Sequence, residues 1–183
     1  MTTKELAPQA DSALLAGQEA EHQRRVLSLH ARRGQDLYGF ALGLGLPDED
    51  AADAVQETML RLWRELAAAR DVHDVDAWAF RTTYRLAVDQ HRLRRRVATS
   101  LQWLTARPSE HATDPTDSAD ADALWQAVDG LPERQRAVLY LRYRADLPFD
   151  RIGLVLGITS GGARSHATTA LATLRRRLER EES

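Results

Sequence analysis

The sequence contains no cysteine among its 183 residues. Without thiols there is no disulfide framework, no cysteine nucleophile and no cysteine-based metal site. Long apolar runs are also missing, since none approaches the ~20 residues that a helix needs to cross a bilayer. The N-terminus lacks the charged-then-apolar order of a secretory signal. We therefore expect a cytoplasmic protein that does not insert into a membrane.

Aromatic residues and net charge are scarce as well. Aromatic residues make up only 6% of the chain, so its 43% of hydrophobic residues predict small cores built from Leu, Ala and Val. The formal net charge is only -2, but the charge is segregated. Residues 48–76 and 110–122 are mostly acidic, whereas residues 81–96 and 164–180 are basic. This segregation predicts two separate anion-binding faces beside acidic surfaces for other partners.

Hydrophobic periodicity predicts an all-α protein with two small helical domains. We predict a disordered N-terminal tail over residues 1–18 and a first helical domain over residues 19–98, with a break in its first helix at Gly34. Residues 99–118 are acidic and rich in Pro, Ser and Thr, which is typical of a flexible linker. The second domain then covers residues 119–183.

Residues 77–96, AWAFRTTYRLAVDQHRLRRR, combine an apolar face with a cationic one. Trp78, Phe80 and Tyr84 recur at helical spacing, and the arginines that fill much of the remainder are opposed by one acid, Asp89. One end of such a helix can pack into a core while the other meets a polyanion, which favours contact with a nucleic-acid backbone. A solvated, arginine-rich surface helix explains this segment equally well.

A clear amphipathic helix is predicted from about residue 49 to residue 68. Its apolar side chains form one stripe, and the polar residues off that stripe include Asp53, Gln56, Glu57 and Arg61. Taken alone, these polar residues indicate a solvated face. Residues 69–77 are predicted to be a loop that leads into the arginine-rich helix.

The second domain carries a helix-turn-helix pattern. A short helix over residues 149–156, a turn that contains Gly157 and a longer helix over residues 160–180 follow one another. In this motif the start of the second helix lies in the major groove of DNA, where arginine can pair with guanine and Ser or Thr can reach base edges. The outward residues there are predicted to be Ser160, Arg164, Ser165, His166, Thr168 and Thr169. An ordinary helical hairpin is the alternative.

Three segments in this order resemble bacterial RNA polymerase sigma factors. The core-polymerase-binding segment of that family is similar to DLYGFALGLGLPDEDAADAVQETMLRLWREL, and the promoter -10 segment to DAWAFRTTYRLAVDQHRLRRR. The -35-binding module is similar to LPERQRAVLYLRYRADLPFDRIGLVLGITSGGARSHATTALATLRRRL. Two domains with only a short linker resemble the extracytoplasmic-function (ECF) group. The resemblance covers roughly residues 20–98 and 119–180.

The resemblance implies a non-enzymatic protein that binds core RNA polymerase, recognises promoter DNA and promotes its melting. Contact with the clamp helices of the largest polymerase subunit is implied for Asp53, Gln56, Glu57 and Arg61. Contact with -10 DNA is implied for Trp78, Arg81, Arg85, Asp89, Arg92, Arg94 and Arg95. Contact with -35 DNA is implied for Arg142, Ser160, Arg164, Ser165, His166, Thr168 and Thr169.

The resemblance also implies further partners. It implies contact with the polymerase beta flap and regulation by an anti-sigma factor, and it calls for no cofactor and no metal. Residues 69–77 and the start of the next helix would capture a base from the melted -10 strand, which offsets the cost of unstacking that base.

Several positions depart from the family pattern. The family usually has Asn at the position of Arg85, Glu at that of Arg151, and Arg at those of His166 and Thr169. The pair at residues 161–162 is Gly-Gly, which weakens helix initiation by roughly 1 kcal/mol per glycine relative to alanine. These changes predict that the -35 sequence and its affinity differ from the family norm.

Three other classes of protein fit part of the pattern. A stand-alone helix-turn-helix regulator is the runner-up, but it has no use for a clamp-binding face. Catalysis is disfavoured, because the six histidines show no metal-ligand spacing such as His-Glu-x-x-His and there is no glycine-rich phosphate loop. A structural helical adaptor predicts no affinity for DNA or polymerase, so capture by core polymerase separates these alternatives.

Overall fold

The computed structural model describes residues 6–100, 128 and 130–181. Every regular element in these ranges is an α-helix, which confirms the predicted all-α class. The helices are α1 (Leu6–Gly43), α2 (Asp48–Ala67), α3 (Val75–Ser100), α4 (Glu133–Tyr143), α5 (Phe149–Leu156) and α6 (Ser160–Glu181). Most of the predicted linker, and the first residues of the predicted second domain, lie outside the described residues.

Helix α1 is longer than the sequence predicted. It begins at Leu6, so residues 6–18 are helical and differ from the expected disordered tail. Gly34 does not interrupt it either. A glycine within a helix costs about 1 kcal/mol relative to alanine, but the neighbouring Leu29 and Leu37 are fully buried. Burial of one such side chain stabilises by about 1.5–3 kcal/mol, which outweighs the cost of the glycine.

Helices α2 and α3 pack on α1 and form the core of the first domain. The rings of Phe40 and Phe80 meet edge to face with centroids 5.6 Å apart. Between α2 and α3, the hydroxyls of Thr58 and Thr83 lie 3.0 Å apart in a fully buried hydrogen bond. Helix α3 begins at Val75, so the loop predicted over residues 69–77 is shorter than expected.

The second domain contains the predicted helix-turn-helix in α5 and α6. Gly157 ends α5 with a φ of 66°, a left-handed conformation that glycine adopts without strain. Gly153 lies where a side chain would not fit, because a Cβ there would be 2.7 Å from the carbonyl oxygen of Ile158. Thr159 accepts a hydrogen bond from the backbone N–H of Gly162 at 3.0 Å. This cap supports helix initiation at the Gly-Gly pair.

The two domains share one hydrophobic core. Buried residues of the first domain, such as Phe40 and Ala41, belong to the same cluster as Leu141 and Ile152 of the second. Helix α5 packs on α3, and α4 packs on α1. The structure therefore holds the two domains against each other.

Candidate functional site

The four polar residues predicted to bind polymerase lie together on α2. Gln56, Glu57 and Arg61 follow Asp53 by three, four and eight residues, which places all four on one face of the helix. Asp53, Gln56 and Arg61 are exposed, and Glu57 accepts a hydrogen bond from Arg61 Nε at 2.8 Å. Leu60 lies within the same face and is 52% exposed. Leu60 was not among the residues predicted from the sequence, although its position off the apolar stripe of α2 is a signal that could have identified it.

The predicted -10 residues form a row of arginines along α3. Arg81, Arg85 and Arg92 are exposed and share one helix face through steps of four and seven residues. Asp89 lies within this row, 3.6 Å from Arg92. Both side chains of that pair are 71% exposed, so the pair contributes little to the stability of the fold. Within the described ranges, neither Arg81 nor Arg85 forms an ion pair, which leaves their charge available to a polyanion.

The structure does not place every predicted -10 residue in that row. Trp78 stands seven residues before Arg85 and so lies in line with the row, but it is half-buried and packs against the core. Arg94 forms an ion pair with Asp50 of α2, which binds α3 to the start of α2. The sequence did not predict this role for Arg94. The side chain of Arg95 lies outside the part of the chain that the structure describes.

A dense group of charges lies at the start of α3, next to the predicted base-capture loop. Asp74 accepts a hydrogen bond from the backbone N–H of Ala77 at 3.0 Å and so caps α3. Its carboxylate also lies 3.1 Å from Arg151 of α5. Asp76 accepts hydrogen bonds from Arg32 at 3.2 Å and from Arg33 at 3.0 Å. Side chains from α1, α3 and α5 thus meet around a shallow cleft of about 410 Å³.

The carboxylate of Asp76 makes part of the stability depend on pH. Burial alone would raise its pKa, but hydrogen bonds and charge from Arg33 and Arg32 outweigh burial and hold the pKa below 3.8. The pKa is lower in the folded chain than in the unfolded one. The stabilisation is therefore present above the unfolded pKa and is lost as the pH falls through the folded pKa.

We expect Asp76→Asn to lower the free energy of unfolding by about 1 kcal/mol at neutral pH, as for a partly exposed ion pair. The difference from wild type should shrink as the pH falls below 4. Urea unfolding at pH 7 and pH 3 measures this, with Asp89→Asn as the control on an exposed pair. An equal difference between Asp76→Asn and wild type at both pH values would contradict the assignment.

The outer face of α6 carries four of the predicted -35 residues. Arg164, Ser165, Thr168 and Thr169 are exposed there. Thr168 donates its hydroxyl to the carbonyl of Arg164 at 3.0 Å, and Thr169 donates to that of Ser165 at 2.9 Å. These hydroxyl oxygens therefore face solvent as hydrogen-bond acceptors. Ser160, at the helix start, is half-buried.

Phe149, which was not among the residues predicted from the sequence, contacts the two predicted -35 arginines. The guanidinium of Arg142 lies 5.4 Å from the centre of the Phe149 ring, and that of Arg164 lies 5.7 Å from it. Both are within the range of a cation–π contact. Arg142 also donates to the carbonyl of Leu147 at 3.3 Å. An aromatic residue at the first position of α5 is the signal that the sequence offered.

His166 does not share the outer face of α6. It follows Arg164 by two residues, which is about 200° of helical rotation. The structure places it, half-buried, in a cleft of about 470 Å³ between the domains, which it lines with Tyr84, Val88 and Arg92 of α3. The prediction that His166 is outward-facing therefore differs from the structure.

Two further observations bear on the chemistry of the chain. Across the ranges with described residues, no cluster of three or more His, Asp or Glu side chains is arranged to hold a metal ion. Over the same ranges, no helix has both the length and the apolar character needed to cross a bilayer.

Two family models match the chain. The model for sigma-70 region 2 matches residues 21–97, and the model for sigma-70 region 4 matches residues 127–176. The first match contains the polar face of α2 and the arginine row of α3. The second contains the helix-turn-helix.

Similar proteins cover most of the chain. The RNA polymerase sigma factor SigV of Bacillus subtilis is 25% identical over 81% of this chain and 87% of its own length. The ECF RNA polymerase sigma factor SigL of Mycobacterium tuberculosis is 26% identical over 91% of this chain and 96% of its own. A solved structure of the sigma factor RpoE with the anti-sigma factor NepR from Bartonella quintana matches the fold. Its TM-score is 0.71 at 19% identity, over 87% of this chain and 97% of that one.

Proposed function

Since this chain belongs to the extracytoplasmic-function group of the sigma-70 family, we propose that the polar face of α2 binds the clamp helices of the largest subunit of core RNA polymerase. The chain is a promoter-recognising sigma factor and not a stand-alone regulator. Its family is a family of non-enzymatic initiation factors. The observation that carries the α2 assignment is the cluster of exposed Asp53, Gln56 and Leu60 on one helix face.

The arginine row of α3 holds the phosphates of the -10 element. Arg81, Arg85 and Arg92 stand on one exposed face, and each phosphate that they neutralise releases counterions. Binding through this row is therefore sensitive to salt. Melting costs a few kcal/mol for each unstacked base, and capture of a flipped base by the loop before α3 offsets that cost.

The outer face of α6 reads the -35 element in the major groove. Arg164 supplies the bidentate guanine contact, and Phe149 holds its guanidinium in place. We propose domain limits to match these roles: residues 19–98 for the polymerase and -10 domain, residues 99–118 for the linker, and residues 119–183 for the -35 domain.

Arg164→Ala is expected to weaken binding of the polymerase holoenzyme to promoter duplex by roughly tenfold or more, since a good bidentate base contact is worth about 1–3 kcal/mol. Capture by core polymerase should not change. Fluorescence anisotropy on DNA selected by the wild-type holoenzyme measures the effect, with Arg24→Ala on α1, whose side chain is 72% exposed, as the control. Equal promoter affinity in the two variants would mean that α6 is not placed in the groove by this face.

We also infer that the chain acts in the cytoplasm, contacts the polymerase beta flap and is held inactive by an anti-sigma protein. RpoE of Bartonella quintana was solved with the anti-sigma factor NepR, and its fold matches this chain with a TM-score of 0.71. The exposed polar face of α2 and arginine row of α3 are the surfaces that such a protein would cover.

Capture of the purified chain by sigma-free core RNA polymerase tests the proposal. We expect stoichiometric capture and promoter-dependent transcription by the resulting complex. A folded chain that binds duplex DNA but is not captured would contradict the α2 assignment and would favour a helix-turn-helix protein that acts without polymerase.

A further inference from the structure

We propose that the cleft formed by α3, the start of α4 and α6 binds a nucleotide, with the base at Tyr84 and the phosphate at Arg92. The cleft has a volume of about 470 Å³. Sites for small molecules are typically clefts of roughly 300–1,000 Å³, with apolar walls and a few well-placed polar groups. This cleft is therefore large enough for a ligand of nucleotide size. Binding here does not depend on the function proposed above.

Helix α3 orders the chemistry of the cleft from an aromatic end to a cationic end. Tyr84, Val88 and Arg92 all line the cleft, and their steps of four residues place them on one side of the helix. At a rise of 1.5 Å per residue, Arg92 stands about 12 Å along the helix axis from Tyr84. An aromatic ring, an aliphatic surface and a positive charge thus follow one another along this wall. The base, sugar and phosphate of a nucleotide follow one another in the same order.

The cationic end of the cleft can hold a phosphate. Arg92 is 71% exposed and its ion pair with Asp89 is long, at 3.6 Å, so little holds its guanidinium away from a second anion. A guanidinium presents a planar fork of N–H donors that pairs with two phosphate oxygens at once. His91 is fixed beside Arg92, because its Nε2 lies 2.9 Å from the carbonyl oxygen of Leu44. His166 of α6 adds a second imidazole to the lining.

The aromatic end of the cleft supplies hydrogen-bond acceptors. The phenol of Tyr84 interacts with Glu133 and Arg134 of α4, and burial together with the charge of Glu133 raises its pKa. Gln135 stands two residues after Glu133 and also lines the cleft. Its Oε1 atom is buried and meets no hydrogen-bond donor within the part of the chain that the structure describes. Such an atom is uncommon, and the exocyclic amino group of a nucleobase would supply the missing donor.

These groups favour a nucleotide with an amino-bearing base over a simple anion or a nucleoside. A phosphate ion would leave Gln135 Oε1 without a donor, and a nucleoside would leave the guanidinium of Arg92 without an anion. Glu133 does not oppose the phosphate strongly, because it stands at the Tyr84 end, beyond the ~8 Å over which salt screens exposed charges. The nucleotide is either a free one or one residue of a single strand of DNA, which present the same chemistry.

Isothermal titration of the full chain with adenosine 5′-monophosphate tests the cleft. We expect one molecule to bind per chain, with a dissociation constant of roughly 10–100 µM, as is usual for a ligand of this size. Adenosine and inorganic phosphate should each bind roughly tenfold or more weakly, since each of them fills one end of the cleft. A dissociation constant above about 1 mM for the nucleotide, or equal affinities for the nucleotide and inorganic phosphate, would overturn the proposal.

Two variants locate the ends of the ligand. Arg92→Gln should weaken binding of the nucleotide roughly tenfold and leave binding of adenosine unchanged. Gln135→Met should weaken binding of the nucleotide by a similar factor and leave binding of inorganic phosphate unchanged. Arg81→Gln is the matched control, because Arg81 is an exposed arginine of the same helix that does not line the cleft. Equal nucleotide affinities of Arg92→Gln and Arg81→Gln would show that the cleft is not the binding site.

A competition experiment distinguishes the two sources of the nucleotide. A short single-stranded DNA oligonucleotide is added to the chain that already holds adenosine 5′-monophosphate. Displacement of the nucleotide by the wild-type chain's binding of the strand, reduced in Arg92→Gln, would support the cleft and identify a DNA strand as its ligand. Retention of the nucleotide would support the cleft as a site for a free nucleotide. Failure of the chain to bind core polymerase would overturn the proposed function and leave both of these results valid.

Discussion

Gln56→Ala combined with Glu57→Ala is expected to abolish capture by core RNA polymerase and to leave the helical fold intact. Gln56 is exposed, and Glu57 forms surface ion pairs with Arg61 at 2.8 Å and with Arg64 at 3.7 Å. Such pairs contribute little to folding. At the centre of an interface, loss of a hot-spot side chain costs about 2 kcal/mol or more. The double change should lower the affinity by roughly a thousandfold.

A matched control carries the same chemical change on α1. Glu21→Ala combined with Gln23→Ala also removes one exposed acid and one exposed amide. Both double variants should give the same circular dichroism spectrum as wild type. Competition against a labelled sigma factor for core polymerase then measures the affinities. Equal affinity of the two double variants would place the polymerase contact elsewhere on the chain.

Phe40→Ala is expected to lower the free energy of unfolding by about 3–5 kcal/mol. Phe40 is fully buried, and its ring contacts both Phe80 of the first domain and Tyr140 of the second. The change therefore leaves a cavity at the point where the two domains share their core. A loss of this size is a large part of the 5–15 kcal/mol that is typical of a folded domain.

Urea unfolding followed by circular dichroism measures this loss. Leu27→Ala is the control, because Leu27 lies on the same helix but is 59% exposed. The control should change the free energy of unfolding by less than about 0.5 kcal/mol. Equal midpoints for Phe40→Ala and Leu27→Ala would show that the ring does not carry the packing that the structure gives it.

The sequence predicted those parts of the fold that depend on local pattern. The stripe of α2 and the turn at Gly157 follow from helical period and backbone chemistry, and both stand where they were expected. The length of α1 could not be predicted in this way, because the burial of Leu29 and Leu37, which outweighs the cost of Gly34, depends on tertiary packing. The assignment to the ECF sigma-70 family came from the order of three motifs, and the comparisons confirm it.

Only part of the candidate site could be predicted from the sequence. From the sequence, Arg94 was predicted to bind -10 DNA like the other arginines at the end of α3. Its ion pair with Asp50 could not be predicted, because the two residues are 44 positions apart in the chain. His166 could have been separated from Arg164 by helical rotation alone. Gly39 and Gly43 of α1 lie against Tyr140 of α4, and nothing local in the sequence identified that neighbour.

The buried hydrogen bond between Thr58 and Thr83 sets an angle between two partner surfaces. Thr58 also donates to the carbonyl of Ala54 at 2.8 Å, so its hydroxyl has a fixed position on α2. A shift of α3 by one residue would rotate the helix by about 100°. The hydrogen bond between the two buried hydroxyls would then be lost. The Thr58–Thr83 pair therefore fixes the rotation of α3 about its own axis, and with it the direction in which the arginine row points relative to the polymerase-binding face of α2.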